Sequence, residues 1–355
     1  MTEPAAIIDP GETLNKSSSR NSGFSRSLVL PGLDSSVRGN FLTPSRLGAV
    51  LGLCGVIGFS ATLPATRIAV RYLDPVVVGL GRSLVAALLA AVLLGLTRPR
   101  APSRDQVKSL LVVAAGVIIG FPLLSAWAMQ QLPAAHAAIV IAIVPIFTAI
   151  AGALRMKQRP SRGFWLASVG GSASVIAFVL FTAHGVMQSA DGLLVIAALL
   201  GAIGYAEGGR LAGVLGGWQV ICWALVITAP FLLLPVALAI HRHGIAAPLQ
   251  AWLAFGYVSV ISQFLAFFLW YQGLAMGGIV RVSQVQLLQV FLTMSVSAAL
   301  LGETITPLMF VFAALVVALV AVGRRMPIVN AGGTARLIDN DISRARDGSP
   351  RAENS

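Results

Sequence analysis

The sequence predicts an all-α integral membrane protein: ten transmembrane helices arranged as two inverted five-helix repeats. Three observations lead there. Of 355 residues, 57% are hydrophobic and only 11% charged, whereas water-soluble domains carry about 25% charged residues. From about residue 46 to 323, long apolar runs alternate with short connectors. The layout of one half then returns in the other, 145 residues on.

An apolar run of about 20 residues spans a bilayer as a helix. Ten such runs occur, at 47–67, 76–96, 108–128, 134–154, 163–183, 191–209, 217–239, 250–272, 279–301 and 305–323. The pairs Gly48/Gly52, Gly116/Gly120 and Gly204/Gly208 have the GxxxG spacing that lets membrane helices approach closely. Residues 1–45 are rich in Ser, Pro, Gly and Asn and lack the apolar core of a signal peptide. They are expected to form a disordered cytoplasmic tail, as is 326–355. Cys54 and Cys222 lie inside apolar runs and read as small buried hydrophobes, with no disulfide or metal framework implied.

The basic residues set the orientation. With the N-terminus inside, the cytoplasmic segments hold 20 of the 25 Lys and Arg. The outer side holds Arg67, Arg71 and Arg242, and Arg82 and Arg281 fall within spans. This satisfies the positive-inside rule with both termini cytoplasmic. The net charge of +12 therefore reports topology, and nucleic acid is not an expected partner. A bilayer and a small-molecule substrate are, and a homodimer is compatible with the pattern.

The stretch Leu274–Pro307 is the most informative. Ser283, Gln286, Gln289, Thr293 and Ser297 follow one another at spacings of 3, 3, 4 and 4, so all five share one helical face. Lipid cannot satisfy such a stripe, so it faces protein or water. Helix–helix contact and a cavity wall are both open to it. In the first half His136 stands at the place of Arg281, Pro145 at that of Val290 and Gln158 at that of Glu303. Thr148 matches Thr293, and Ala153 matches Ala298. Gly58-Phe59-Ser60-Ala61 is echoed by Gly204-Tyr205-Ala206-Glu207. These correspondences indicate an internal duplication. Five spans per repeat is an odd number, so the second repeat enters from the opposite side, an architecture suited to a central site opened to either face.

This layout resembles the drug/metabolite transporter superfamily, and within it the ten-helix proteins built from two EamA domains. The likeness rests on a helix opening on small residues, the mid-helix Pro145 and the closing Gly302-Glu303. It implies one such repeat over 46–183, a second over 191–325, and placement in the inner (cytoplasmic) membrane of a bacterium. Val290 replaces the second Pro, and Arg155-Met156-Lys157-Gln158 replaces the first Gly-Glu.

Ionisable groups inside a membrane are costly and are read as functional candidates. Glu207 is a proton-coupling candidate, with an ion pair to Arg210, three residues on, as the other reading. His136 is the second proton candidate, since histidine ordinarily titrates nearest neutrality; interfacial anchoring is the alternative for it and for Arg281. Arg82 is expected to snorkel to the outer interface, or else to bind a carboxylate or an anionic substrate group. Trp127, Trp218 and Trp270 suit interface belts. On span eight Ser259, Gln263, Phe267 and Trp270 share a mixed polar–aromatic face. With Tyr205, Trp127 and the stripe of Ser283, Gln286, Gln289 and Thr293, they are the candidate substrate contacts. A small amphipathic solute fits such a lining: an amino acid, a derivative or a small cationic metabolite.

The predicted function is a secondary transporter, an exporter driven by proton exchange, with a passive facilitator or a membrane-embedded enzyme as alternatives. No GxxxxGK[ST], HExxH or GxSxG occurs, so ATP drive and metal or triad hydrolysis lack their usual parts. No cofactor is implied.

Overall fold

The fold is described from a computed structural model, which places residues 43–302 except 157 and 183–188, scattered residues of 307–322, and 328–330. The two predicted tails, apart from 43–45 and 328–330, and most of span ten lie outside the described residues.

Among the described residues eight helices are long and apolar enough to cross a membrane. They are α1 (Pro44–Ala69), α2 (Val77–Thr97), α3 (Arg104–Gln131), α4 (Ala134–Arg155), α6 (Ala190–Leu215), α7 (Gly217–His243), α8 (Leu249–Gly277) and α9 (Ile279–Leu301). Helix α5 (Arg162–Thr182) occupies the place of the fifth predicted span. Each start falls within four residues of its predicted position, because apolar length is the signal and the bilayer sets it. Several ends run on by a turn, as at His243 and Gly277. Two three-residue strands, β1 (Gln158–Pro160) and β2 (Ile328–Asn330), pair antiparallel. The segment after 326 is thus not wholly irregular.

Large apolar side chains such as Leu88, Leu154, Phe231 and Leu249 are exposed on the helix exteriors, while Arg82, Thr148, Gln263, Gln284, Gln286 and Gln289 are buried. A soluble protein buries its apolar groups and wets its polar ones. Apolar side chains exposed outside, with polar ones buried inside, are what a hydrocarbon solvent selects.

Helix pairing follows the repeat. Helix α1 packs along α8, and its counterpart in the second half, α6, packs along α3. Helix α2 packs on α7, its own equivalent. Helix α4 lies on α6, and α9 on α1. Exchanging the two halves maps this set of contacts onto itself. The predicted GxxxG sites carry the closest approaches: a Cβ on Gly273 would sit 2.6 Å from the backbone N of Gly52, and one on Gly116 would collide with the Leu200 carbonyl. Helices α8 and α9 are joined by Gly278 alone, at φ +85°, a conformation in which a Cβ is strained.

Helix ends that the charge pattern assigns to one side do meet. On the predicted outer side, Asp74 pairs with His243 at 3.3 Å, Gln250 donates to the Tyr72 hydroxyl at 3.0 Å, and Arg67 donates to the Met129 carbonyl. On the predicted inner side, the backbone N–H at Gly217, opening α7, donates to the Gln272 side chain near the end of α8 at 3.1 Å.

Candidate functional site

Among the described residues five π or 3-10 segments interrupt the α-helices along the interior, none of them visible in the apolar pattern. Wide π-helical turns occupy Val77–Gly81 of α2, Ala114–Gly120 of α3 and Tyr257–Leu265 of α8. Tight 3-10 turns occupy Ile141–Ile143 of α4 and Ser283–Leu287 of α9. Adding the repeat offset of 145 to 114–120 gives 259–265, inside the π segment of α8. The 3-10 breaks of α4 and α9 overlap in the same way. Both halves therefore carry the same irregularities in their third and fourth helices, structural support for the duplication. Pro145, read as mid-helix, sits at the start of the regular helix that follows the break in α4, where its missing N–H costs nothing.

Such turns leave backbone carbonyls without their usual helical donors, and side chains claim two of them. Gln263 donates to the Val117 carbonyl at 3.0 Å, and Ser83 to the Ile118 carbonyl at 3.1 Å. Helix α1 breaks at Ala61 because Pro64, three residues on, has no N–H to give back to Ser60. Beside this break the Tyr257 hydroxyl donates to the Gly58 carbonyl at 2.9 Å, and Thr62 and Ser262 share a 2.8 Å hydroxyl–hydroxyl bond.

Two cavities open where these segments converge. The first spans about 400 Å³ of non-atom space, open solvent at its mouth included, and is lined by Phe121, Ile141, Ala142, Val144, Tyr205, Gln286, Gln289, Val290 and Thr293, among others. The second, about 370 Å³, is lined by Phe59, Thr62, Arg82, Val117, Phe121, Ile141, Tyr205, Ser262, Gln263, Phe267 and Gln289, among others. They share Phe121, Ile141, Tyr205 and Gln289, so they form one two-lobed chamber with walls from both repeats. The aromatic side is built by pseudo-equivalent residues: Phe59 and Tyr205 stack at 6.3 Å, and Trp270 lies edge-on to both.

Gln286, Gln289, Thr293, Gln263 and Tyr205 thus all border the chamber. Ser283 is buried but spends its hydroxyl on the Val280 carbonyl at 3.1 Å. Trp270 is fully buried behind the wall rather than at an interface, and Trp127 is 37% exposed and borders neither lobe. Arg281 is half-buried, also away from both lobes, with its Nε unpartnered. The expected snorkelling of Arg82 does not occur. Its side chain is 2% exposed, borders the second lobe and has no ion pair among the described residues. Arg82 follows directly on the π turn of α2. The extra residue in that turn changes the helical phase, so the distance from the helix end does not forecast where the side chain points.

Polar clusters lie at both ends of the chamber. At the predicted inner end Glu207 accepts from Arg155 Nε at 2.7 Å and from Arg210 Nη2 at 2.5 Å, and Arg210 also donates to Ser109 at 2.8 Å. This confirms the pairing with Arg210 read from the spacing and adds a second arginine from α4, tying α3, α4 and α6 together. At the predicted outer end His136 Nε2 lies 2.8 Å from Asp191 Oδ1, joining α4 to α6. Asp191, Arg155 and Ser109 were not singled out from the sequence as site residues. Asp191 had a signal, as an acidic residue opening an apolar run.

A model of the EamA-like transporter family matches the chain twice, at residues 46–180 and 188–322. The uncharacterized transporter YdeK of Bacillus subtilis (strain 168) is 41% identical over 259 residues, 73% of this chain and 90% of that protein. A Streptantibioticus cattleyicolor protein described as a "probable terminal-alkyne amino-acid exporter" is 29% identical over 271 residues, 74% of this chain and 88% of that one. One solved crystal structure superposes with a TM-score of 0.62 over 78% of this chain and 95% of its own, at 17% identity, a likeness of fold. Tandem matches to a single family unit agree with the duplicated helix pairing and the duplicated backbone irregularities. The chain is a multi-pass membrane protein of the EamA-like transporter family.

Proposed function

We infer that this transporter carries a small amphipathic metabolite, an amino acid or a derivative, out of a bacterial cell in exchange for protons, by alternating access. The observation that carries this reading is the two-lobed chamber, walled by both repeats and lined with aromatic rings and a few amides and hydroxyls. The relative described as an amino-acid exporter supports the substrate class, and the charge distribution supports an inner-membrane orientation with both termini in the cytoplasm.

The end clusters supply the moving parts. Inner closure is held by Glu207 between Arg155 and Arg210, and outer closure by His136 on Asp191. Opening one end requires parting its tie while the other holds. Glu207 is committed to two guanidinium partners, so the coupling role is assigned to the His136–Asp191 pair at the outer end.

The test is efflux from proteoliposomes preloaded with labelled amino acids, with and without a pH gradient. A gradient that accelerates efflux, and loses that effect when an ionophore collapses it, fits the coupled carrier. Efflux indifferent to the gradient would favour a passive facilitator instead.

A further inference from the structure

We propose that the chamber is a zwitterion site: Arg82 receives the α-carboxylate of the solute, and Gln286 and Gln289 receive its α-ammonium. The proposal rests on the amino-acid reading above and names the groups that would impose it.

A guanidinium sealed from water without a partner is strongly disfavoured, so its countercharge must come from somewhere. Arg82 is buried, has no ion pair among the described residues, and its Nε has no hydrogen-bond partner. The carboxylates of the described helices and loops near the chamber ends are already engaged: Glu207 with two arginines, Asp191 with His136, Asp74 with His243. Glu303 lies outside the described residues. Among the described residues no carboxylate is left for Arg82; the cargo can supply one, and a planar carboxylate matches the guanidinium fork. Tyr205, on the shared wall, lines the second lobe with Arg82 and offers a hydroxyl to the same anion.

The second half of the argument concerns acceptors. Gln286 and Gln289 are 7% and 9% exposed, and the amide oxygen of each has no donor. An ammonium group has three N–H donors and no acceptor, so it fits two such oxygens. Gln289 borders both lobes, which puts an ammonium acceptor in the lobe that holds Arg82. The acceptors are neutral and the carboxylate is set against Arg82, so the ammonium is held by hydrogen bonds. A zwitterion leaves the net charge of the chamber as Arg82 sets it, whereas a plain amine would raise it. Apart from Tyr205 and Thr293, the rest of the first lobe is apolar, with Phe121, Ile141, Val144 and Val290, and suits an uncharged side chain.

The experiment is uptake of a panel of labelled apolar L-amino acids into proteoliposomes. Each amino acid taken up is then competed with its methyl ester and with its N-acetyl derivative. The wild type should be inhibited well by the free amino acid and poorly by both derivatives. In Arg82→Gln the free amino acid should lose about 10- to 150-fold of its advantage over the ester, the range of one charged hydrogen-bonding group. Arg82→Lys keeps the charge and should lose less. In Gln286→Leu and Gln289→Leu the advantage over the N-acetyl form should fall instead. The advantage is a ratio on one folded protein, so a loss of yield does not imitate it. Wild-type protein inhibited equally by all three forms would overturn the zwitterion site and leave the amino-acid carrier standing. Uptake of none of the panel would overturn both.

Discussion

Replacing Glu207 with Gln should unfasten the inner end of the chamber. The carboxylate is 6% exposed, whereas its partners Arg155 and Arg210 are 56% and 30% exposed. A hydrogen bond to a charged group is worth about 1.5–3 kcal/mol when shielded, and the wetter Arg155 contact falls nearer 1 kcal/mol through solvent screening. Gln retains one acceptor oxygen, so the net loss is about 2–3 kcal/mol. If the tie forms only in the inner-closed state, that loss shifts the population toward inner-open by about 30- to 150-fold. The shift is readable as alkylation of Ala142→Cys, a small residue on the chamber wall, with Cys54 and Cys222 replaced by Ala. A membrane-impermeant maleimide is added to the inner face. Labelling should accelerate by tens of fold in Glu207→Gln and less in Glu207→Asp. Unchanged labelling would refute the latch, and loss of pH-driven accumulation alongside it would return Glu207 to the role of proton carrier.

The outer pair should behave differently. His136→Gln and Asp191→Asn should each abolish accumulation driven by a pH gradient, measured in proteoliposomes; accumulation at the parent rate would remove the pair from coupling. Gly273→Ala should part α1 from α8, since the added Cβ would lie 2.6 Å from the Gly52 backbone N. Such overpacking costs about 1–3 kcal/mol and should lower the unfolding midpoint in detergent, where an unchanged midpoint would contradict the packing. Trp127→Ala should leave uptake within about twofold of wild type, because a ring that is 37% exposed and outside both lobes contributes mainly interfacial anchoring.

The sequence announced some of these features and hid others, for physical reasons. Span positions were readable because the bilayer fixes apolar length, and Gly48, Gly52, Gly116 and Gly204 marked close contacts because only a missing side chain permits them. The Gln286/Gln289 face was readable because both amides fall one turn apart on a helix. The direction of Arg82 was not, since a π turn adds one residue without any compositional mark. Nor was the second partner of Glu207, as Arg155 lies 52 residues away and local spacing names only Arg210. The same limit hid Asp191 from His136, 55 residues off. Gln263 was read as a substrate contact, and it does border the chamber, yet part of its hydrogen-bonding capacity goes to a carbonyl freed by irregular backbone. Backbone irregularity is therefore what sequence periodicity conceals, and here it shapes the chamber.

Counterflow tests alternating access most directly. Proteoliposomes loaded with excess unlabelled amino acid are diluted into a trace of the same labelled compound. A chamber that opens to one side at a time returns loaded, so label should rise above its equilibrium level and then decay. Label that climbs only to equilibrium, with no overshoot, would mean that both ends of the chamber are open together, and the two-sided closure described here would be wrong.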